Sequence, residues 1–214
     1  GSLSLEELRA AAASEEIDTV IAAQVDMQGR LVGKRFQVEY FLDTAWRESH
    51  SCNYLLATDI EMAAVDGYAA TSWARGYGDY VMKPDLRTLR RVPWWPGTAV
   101  VLCDVLEHDG VTEVAHSPRA ILKKQVARLE AKRMKACMAP ELEFYLFRQS
   151  FEQARSQDYR SLSPSGDFNQ DYHIFQTTKD EDVMRAIRTG LQGADVPVEN
   201  TKGEADLGQM ELNL

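Results

Sequence analysis

Two short segments, PELEFYLF and QMELNL, constrain the fold of this chain more than any other feature. In both segments polar side chains alternate with apolar ones, which is the period of a β-strand with one wet face and one apolar face. Glu141 and Glu143 then lie on one face of the first strand. Gln209, Glu211 and Asn213 share a face of the second. The pattern therefore predicts a sheet that carries several carboxylates on one side.

The remaining pattern predicts an α+β chain. Before residue 106 it indicates several strands, including a hairpin around the turn MQGR. After residue 116 it indicates helices alternating with strands, and Ser117-Pro118 opens the clearest helix, because serine is a favourable N-cap and proline suits the first helical position. The predicted elements are helices near the N-terminus, over 38–47, from 117 and over 181–192, strands over 17–26, 31–38, 80–84, 98–105, 135–147 and 209–214, and loops over 66–79 and 148–170.

Charge and composition exclude several classes of protein. The formal net charge is -9, so the overall field repels nucleic acid and anionic membranes. The chain has no apolar run near the roughly 20 residues that a membrane helix needs, and it has no P-loop motif. Its three cysteines are far apart and form no CxxC pair, which favours free thiols in a reducing cytoplasm. Cys103 and Cys137 lie in apolar runs and are expected to behave as small hydrophobic side chains.

The alternating carboxylates have two explanations. Several carboxylates on one sheet face repel one another unless a positive group lies between them, and Mg²⁺ or Mn²⁺ would supply that charge while also binding ATP phosphates. In the alternative, these are the wet faces of ordinary half-exposed strands. The spacing alone does not decide between a metal site and a solvated surface.

Four segments, in order, resemble the glutamine synthetase family. DMQGRLVGKR is similar to the hairpin of its β-grasp domain, and GYGDYVMKPDLRTLRRVPWWPGTAVVLCDV is similar to the segment that follows. PELEFYLF and GEADLGQMEL resemble its two acidic signatures. The resemblance implies a β-grasp domain over residues 1–106 and the first, incomplete part of the catalytic α/β domain over residues 107–214.

The same resemblance implies the ligands of a two-metal site that uses ATP with Mg²⁺ or Mn²⁺. Glu141 would hold the metal nearer the nucleotide phosphates. Glu143, Glu204 and Glu211 would hold the metal beside the substrate glutamate. Glu199 matches a position that contacts the nucleotide in the family.

Asp66 and Trp73 keep the spacing of the family's Asp-Gly…Trp pair. In the family this aspartate reaches the neighbouring subunit's active site and helps to bind ammonium, and a carboxylate suits both attraction of the cation and removal of its proton. The alternative is a loop aspartate that caps a turn. Ammonia-specific members have two serines after Asp-Gly, whereas this chain reads Tyr68-Ala69-Ala70. That difference favours relatives that attach glutamate to polyamines or other amines.

The resemblance thus implies ATP-dependent ligation of ammonia to the γ-carboxylate of glutamate through γ-glutamyl phosphate, in a glutamine synthetase. The alternatives are a γ-glutamyl ligase for a polyamine or another amine, and a non-catalytic assembly module of the same fold. Family members form homo-oligomers, as rings of six that are often doubled to twelve, with active sites between subunits. The substrate arginines and the remaining metal ligands lie in the family's later half, so we expect these 214 residues alone to be inactive.

Overall fold

The computed structural model describes residues 1–74 and 76–214, which form two compact units, Gly1–Ala136 and Cys137–Leu214. Each unit combines helices with one antiparallel or mixed sheet, so the α+β class is confirmed. Part of the predicted loop 66–79 falls on residue 75, which lies outside the described residues. In the described part of the chain, no helix is both long enough and apolar enough to cross a membrane.

A six-stranded sheet forms the first unit, in the order β2-β1-β6-β4-β3 with β5 paired to β6. The strands β1 and β6 run parallel, and the other pairs are antiparallel. The strands are β1 (Thr19–Val25), β2 (Leu31–Gln37), β3 (Ser49–Cys52), β4 (Asp79–Pro84), β5 (Arg90–Arg91) and β6 (Thr98–Leu106). The prediction lacked β3 and β5, because both are short and polar.

Helix α1 (Leu5–Ala13) covers the core of this sheet. Ser4 caps its N-terminus in a capping box with Glu7, which satisfies two backbone amides that the first turn leaves without partners. Leu8 and Ala11 are buried in the same apolar cluster as residues from β1, β4 and β6. The helix therefore forms where a local cap and an apolar stripe agree.

The predicted helix over 38–47 has a different geometry. It begins as helix α2 (Val38–Tyr40) and continues as a π-helical turn over Phe41–Ala45, closed by the bond from the Trp46 amide to the Phe41 carbonyl at 2.9 Å. Phe41 and the adjacent Leu42 are both buried. The ring that this bond closes holds one more residue than an α-helical turn, which an apolar period of 3.6 residues does not predict.

Helix α3 (Pro118–Glu130) begins as predicted, with the Ser117 hydroxyl accepting from the Ala120 amide. Arg119 at its start bridges Asp85 at 2.8 Å and Asp104 at 3.0 Å. These ion pairs attach the helix to the strands of the first unit.

The second unit contains a three-stranded antiparallel sheet in the order β7-β9-β8. Its strands are β7 (Glu141–Tyr145), β8 (Asn200–Gly203) and β9 (Gln209–Asn213), and its helices are α4 (Phe151–Ser156), α5 (Ile174–Thr177) and α6 (Glu181–Gly193). The helix predicted over 181–192 is confirmed as α6.

Three predictions in this unit were wrong. The strand predicted over 135–147 is shorter, because only Glu141–Tyr145 pairs with β9. The loop over 148–170 contains α4, whose first turn is stabilised by a Ser150 capping box. Cys137 is exposed, whereas Cys103 is buried as expected, and burial raises the pKa of the Cys103 thiol to about 12.

Candidate functional site

The small sheet places three of the predicted carboxylates in two rows across its strands. Glu143 of β7 lies opposite Glu211 of β9, which in turn lies opposite Lys202 of β8. Glu141 lies opposite Asn213 in the next row. Because directly opposed side chains point to the same face of a sheet, the predicted alternation is confirmed and the acids share one face.

Lys202 supplies the positive charge on this face. Its ammonium donates to Glu204, to Glu211 at 3.3 Å and to Asp171 at 3.1 Å. It also lies 4.2 Å from the ring centroid of Tyr172, within the range of a cation–π contact. One lysine therefore joins three carboxylates from three parts of the second unit.

Amide side chains hold the other carboxylate oxygens. Gln209 donates from Nε2 to Glu143 at 2.6 Å, and Asn213 donates from Nδ2 to Glu211 at 2.5 Å. Glu211 is 5% exposed, and its two carboxylate oxygens accept from Asn213 and Lys202. The buried Met210 and Leu212 occupy the opposite face of β9.

The electrostatics of the cluster follow from this crowding. The pKa of Glu141 is raised, first by the charge of Glu211 and then by burial and the nearby Glu143. Hydrogen bonds, first from Lys202, lower the pKa of Glu204. The carboxylates are thus close enough to repel one another where no cation intervenes.

The oxygen donors of this cluster are of the chemical type that a hard divalent cation prefers. Carboxylate oxygens are the ligands that Mg²⁺ and Mn²⁺ prefer, and the face already accommodates one cation, the Lys202 ammonium, against Glu204 and Glu211. Among residues 1–74 and 76–214, no three acidic, histidine or cysteine side chains form a group that could hold one ion. Ammonium and amide donors take up the carboxylate oxygens instead.

Glu199 lies just before β8, and its amide donates to the Asn213 carbonyl at 2.9 Å. Its side chain is exposed and lines a cavity of about 360 Å³ together with Arg185 and Arg188 of α6. A second cavity of about 330 Å³ includes Lys202 and Arg188 in its lining. Glu199 therefore neighbours the arginines of α6, whereas Glu204 and Glu211 bond to Lys202.

Asp66 belongs to the first unit. It is exposed and lies in a turn with Gly67, whose φ of 96° is a conformation that favours glycine. The segment before it, residues 57–65, is an ordered loop closed by the bond from the Val65 amide to the Ala57 carbonyl at 3.0 Å. The predicted partner in the Asp-Gly…Trp pair, Trp73, is exposed and packs edge-on against Tyr77 at 4.9 Å between ring centroids.

The sequence reasoning missed Lys202 and Asp171, which carry much of the charge balance. Lys202 is two residues from Glu204, and this spacing is the one available signal. A lone lysine has no motif, however, and its strand NTKG lacks an apolar alternation. Asp171 directly follows the predicted loop 148–170, and only the folded structure brings it to the ammonium.

Comparisons with known proteins identify relatives of this chain. A family model described as the catalytic domain of glutamine synthetase matches residues 115–214. A γ-glutamylethanolamide synthetase from Streptomyces coelicolor is 46% identical over 211 residues, covering 98% of this chain and 46% of that protein. A glutamate–isopropylamine ligase from a Pseudomonas species is 34% identical over 199 residues, covering 92% of this chain and 43% of that protein.

Solved structures agree on the fold. A structure described as a GmaS–ADP complex superposes with a TM-score of 0.68 at 20% identity, covering 96% of this chain and 43% of that one. The chain spans a little under half the length of the curated relatives that it matches. By its sequence and its fold, this chain belongs to the glutamine synthetase family.

Proposed function

We propose that the protein containing this chain is an ATP-dependent ligase that joins a small primary amine to the γ-carboxylate of glutamate. The observation that carries the proposal is the carboxylate row of Glu143 and Glu211, to which the two acidic signatures contribute one residue each. Two relatives with printed activities, an ethanolamide synthetase and an isopropylamine ligase, support an amine larger than ammonia. The segment Tyr68-Ala69-Ala70, which replaces two serines, supports the same acceptor class.

The metal assignment remains part of the proposal. Glu141 would hold one divalent ion, and Glu143, Glu204 and Glu211 would hold the other. When bound, these ions neutralise charge on the phosphoryl group that ATP transfers. The ADP in the GmaS structure supports ATP as the nucleotide, and we assign the contact with it to Glu199.

The reaction has two steps. An oxygen of the glutamate γ-carboxylate attacks the γ-phosphorus of ATP, so that γ-glutamyl phosphate forms and ADP leaves. The amine nitrogen then attacks the γ-carbonyl carbon, and phosphate leaves with the electrons of the broken C–O bond. Phosphorylation is needed because a free carboxylate is a poor electrophile with no acceptable leaving group. Asp66 attracts the protonated amine and accepts its proton before the attack.

The architecture of the whole protein is also proposed. Residues 1–106 are assigned to a β-grasp domain and residues 107–214 to the start of the catalytic domain. The boundary at residue 106 follows the family's division rather than the division into compact units. The protein would form a homo-oligomeric ring in which Asp66 serves a neighbouring subunit's site.

Phosphate release tests this function. The protein is expressed from its complete reading frame and assayed for glutamate-dependent phosphate release from ATP with Mg²⁺, using ammonia, ethanolamine, isopropylamine and a polyamine. We expect the small primary amines to stimulate release more than ammonia does. Strongest release with ammonia would instead identify a glutamine synthetase. No release with any amine would contradict the ligase and favour the non-catalytic assembly module.

A further inference from the structure

The turn between β1 and β2 forms a set of side-chain bonds that the proposed reaction does not use. Asp26 is buried, and its carboxylate accepts from the Gln28 and Arg30 amides at 2.9 Å each. The same carboxylate accepts from Nε of Arg30 at 2.7 Å. The Asp26 side chain therefore fixes the direction in which the Arg30 guanidinium points.

The free side of that guanidinium binds the loop at residues 57–65. Arg30 donates to the Ile60 carbonyl at 2.6 Å and to the Asp59 carbonyl at 3.0 Å. Gln28 donates from Nε2 to the Thr58 carbonyl at 2.8 Å. Three consecutive carbonyls of one loop are thus held by two side chains of another turn, about 30 residues earlier in the chain.

Hydrogen bonds within residues 57–65 hold this loop together, so bonds to its carbonyls fix the position of the whole segment. The Asp59 side chain accepts from the Glu61 and Ala63 amides at 2.9 Å each. The Asp59 amide donates to the Ala63 carbonyl, and the Val65 amide donates to the Ala57 carbonyl. The last of these bonds ends one residue before Asp66.

We propose that Gln28 and Arg30 are positioning residues that hold loop 57–65 in place and thereby set where Asp66 presents its carboxylate to the incoming amine. This inference rests on the proposed function, since Asp66 acts on the amine only in that reaction. Asp66 is exposed and follows the closed loop directly. Displacement of the loop therefore displaces the carboxylate, and small displacements of reacting groups cost much of their effect.

Arginine is required at residue 30 because one planar group makes bonds in three directions. Its Nε faces Asp26 while its two terminal nitrogens face the carbonyls of Asp59 and Ile60. A lysine ammonium is a single point donor on a flexible stem, so it cannot hold Asp26 and both carbonyls together. The fork geometry makes Arg30→Lys a partial rather than a full replacement.

The test compares Arg30→Met with Arg91→Met in the protein from its complete reading frame. Arg91 is a suitable control because its guanidinium pairs with Glu16 at 2.8 Å in the same unit, away from loop 57–65. Hydrogen exchange of the substrate-free protein is measured first. We expect the amides of Glu61, Ala63 and Val65 to exchange at least about tenfold faster in Arg30→Met and to be unchanged in Arg91→Met.

Steady-state kinetics then separate positioning from general damage. In Arg30→Met we expect the KM for the amine to rise about tenfold or more, with the KM values for glutamate and ATP changed less than about twofold. Arg30→Lys should lie between wild type and Arg30→Met. An unchanged amine KM, or an equal rise for all three substrates, would overturn the positioning role.

Failure of the proposed function has a different signature. If the wild-type protein releases no phosphate with any amine, the ligase assignment fails and the role of Arg30 toward Asp66 fails with it. If the wild-type protein is active and hydrogen exchange in Arg30→Met is unchanged, the positioning role of Arg30 is wrong while the proposed function stands.

Discussion

Lys202 and Glu211 face each other across β8 and β9, so a nearly buried carboxylate meets an ammonium at 3.3 Å. The same ammonium reaches Glu204 and Asp171. An uncompensated charge in such a place would be costly, and the lysine offsets that cost. A divalent ion that binds these oxygens therefore competes with a cation that the chain itself provides.

The first prediction concerns Glu211. In Glu211→Gln we expect the affinity for Mn²⁺ to fall by about 10- to 100-fold, since the replacement keeps the shape but removes the charge at the centre of the row. Titration calorimetry with Mn²⁺ measures this. Glu199→Gln is the matched control, because Glu199 is exposed and lies beside Arg185 and Arg188 instead of on the sheet face. Equal losses in both variants would contradict the separate roles of the two glutamates.

Asp26 supplies a prediction about pH. Burial alone would raise the pKa of its carboxyl, but bonds from the Arg30 amide, the Arg30 guanidinium and the Gln28 amide together lower it. The folded protein thus holds this proton less tightly than the unfolded chain. The ionised Asp26 carboxylate therefore stabilises the fold fully above the ordinary aspartate pKa of about 3.9. This stabilisation is lost as the pH falls through the lower pKa that Asp26 has in the folded protein.

Urea unfolding at pH 7, 5, 4 and 3 tests that linkage with Asp26→Asn. We expect the variant to lower the free energy of unfolding by about 1–3 kcal/mol at pH 7, because buried donors lose their charged acceptor. The difference from wild type should shrink at pH 3. A difference that stays constant from pH 7 to pH 3 would assign the loss to packing instead of charge.

At the scale of the element, the turn before β9 depends on one glycine. Gly208 has a φ of 70°, and a Cβ there would lie 2.7 Å from the Leu146 carbonyl oxygen. The Leu146 amide also donates to the Gly208 carbonyl at 2.9 Å. The close approach that a glycine permits therefore aligns β9 with the residue after β7.

We expect Gly208→Ala to lower the free energy of unfolding by about 2–4 kcal/mol, from left-handed strain and overlap with backbone. Gly29→Ala is the control, because Gly29 has a φ of 82° but nothing within 4 Å of an added Cβ. That variant should lose only about 1 kcal/mol. Equal losses in chemical unfolding would show that backbone conformation alone, and not the contact with Leu146, sets the cost.

The elements with local signals were predictable, and those defined by pairing were not. Ser117-Pro118 indicates a helix start from its residue types alone, and the alternation in QMELNL indicates β9. Strand β8 has no such pattern, since its residues NTKG are polar and gain a ladder only from β9. The register that places Glu143 opposite Glu211 also depends on pairing between segments more than 60 residues apart.

At the scale of the whole molecule, the carboxylates and Asp66 belong to different compact units. Sequence spacing predicted which face of each strand holds the acids, because alternation is a local property. The charge balance through Lys202 and Asp171 depends on tertiary contacts and could not be predicted in that way. The role of Asp66 depends in addition on the proposed oligomer, so it requires an experiment on the assembly.

Mixed oligomers provide that experiment. Asp66→Asn keeps the carboxylate cluster but loses the proposed amine-binding group, and Glu211→Gln keeps Asp66 but loses a proposed metal ligand. If Asp66 serves a neighbouring subunit, a native site forms wherever an Asp66→Asn subunit receives Asp66 from a Glu211→Gln subunit. Random pairing of equal amounts makes about a quarter of the sites native. We therefore expect co-expression of the two variants to restore about a quarter of wild-type phosphate release.

The co-expression result can be interpreted only if each variant alone has low activity. That activity is measured on oligomers of a single variant at the same protein concentration. Mixing the two purified variants without co-expression is the control, because stable rings exchange no subunits and should stay inactive. If Asp66 acts within its own subunit, every subunit of the mixed oligomer carries one defect. Activity would then equal the mean of the two single variants, and the intersubunit assignment of Asp66 would be wrong.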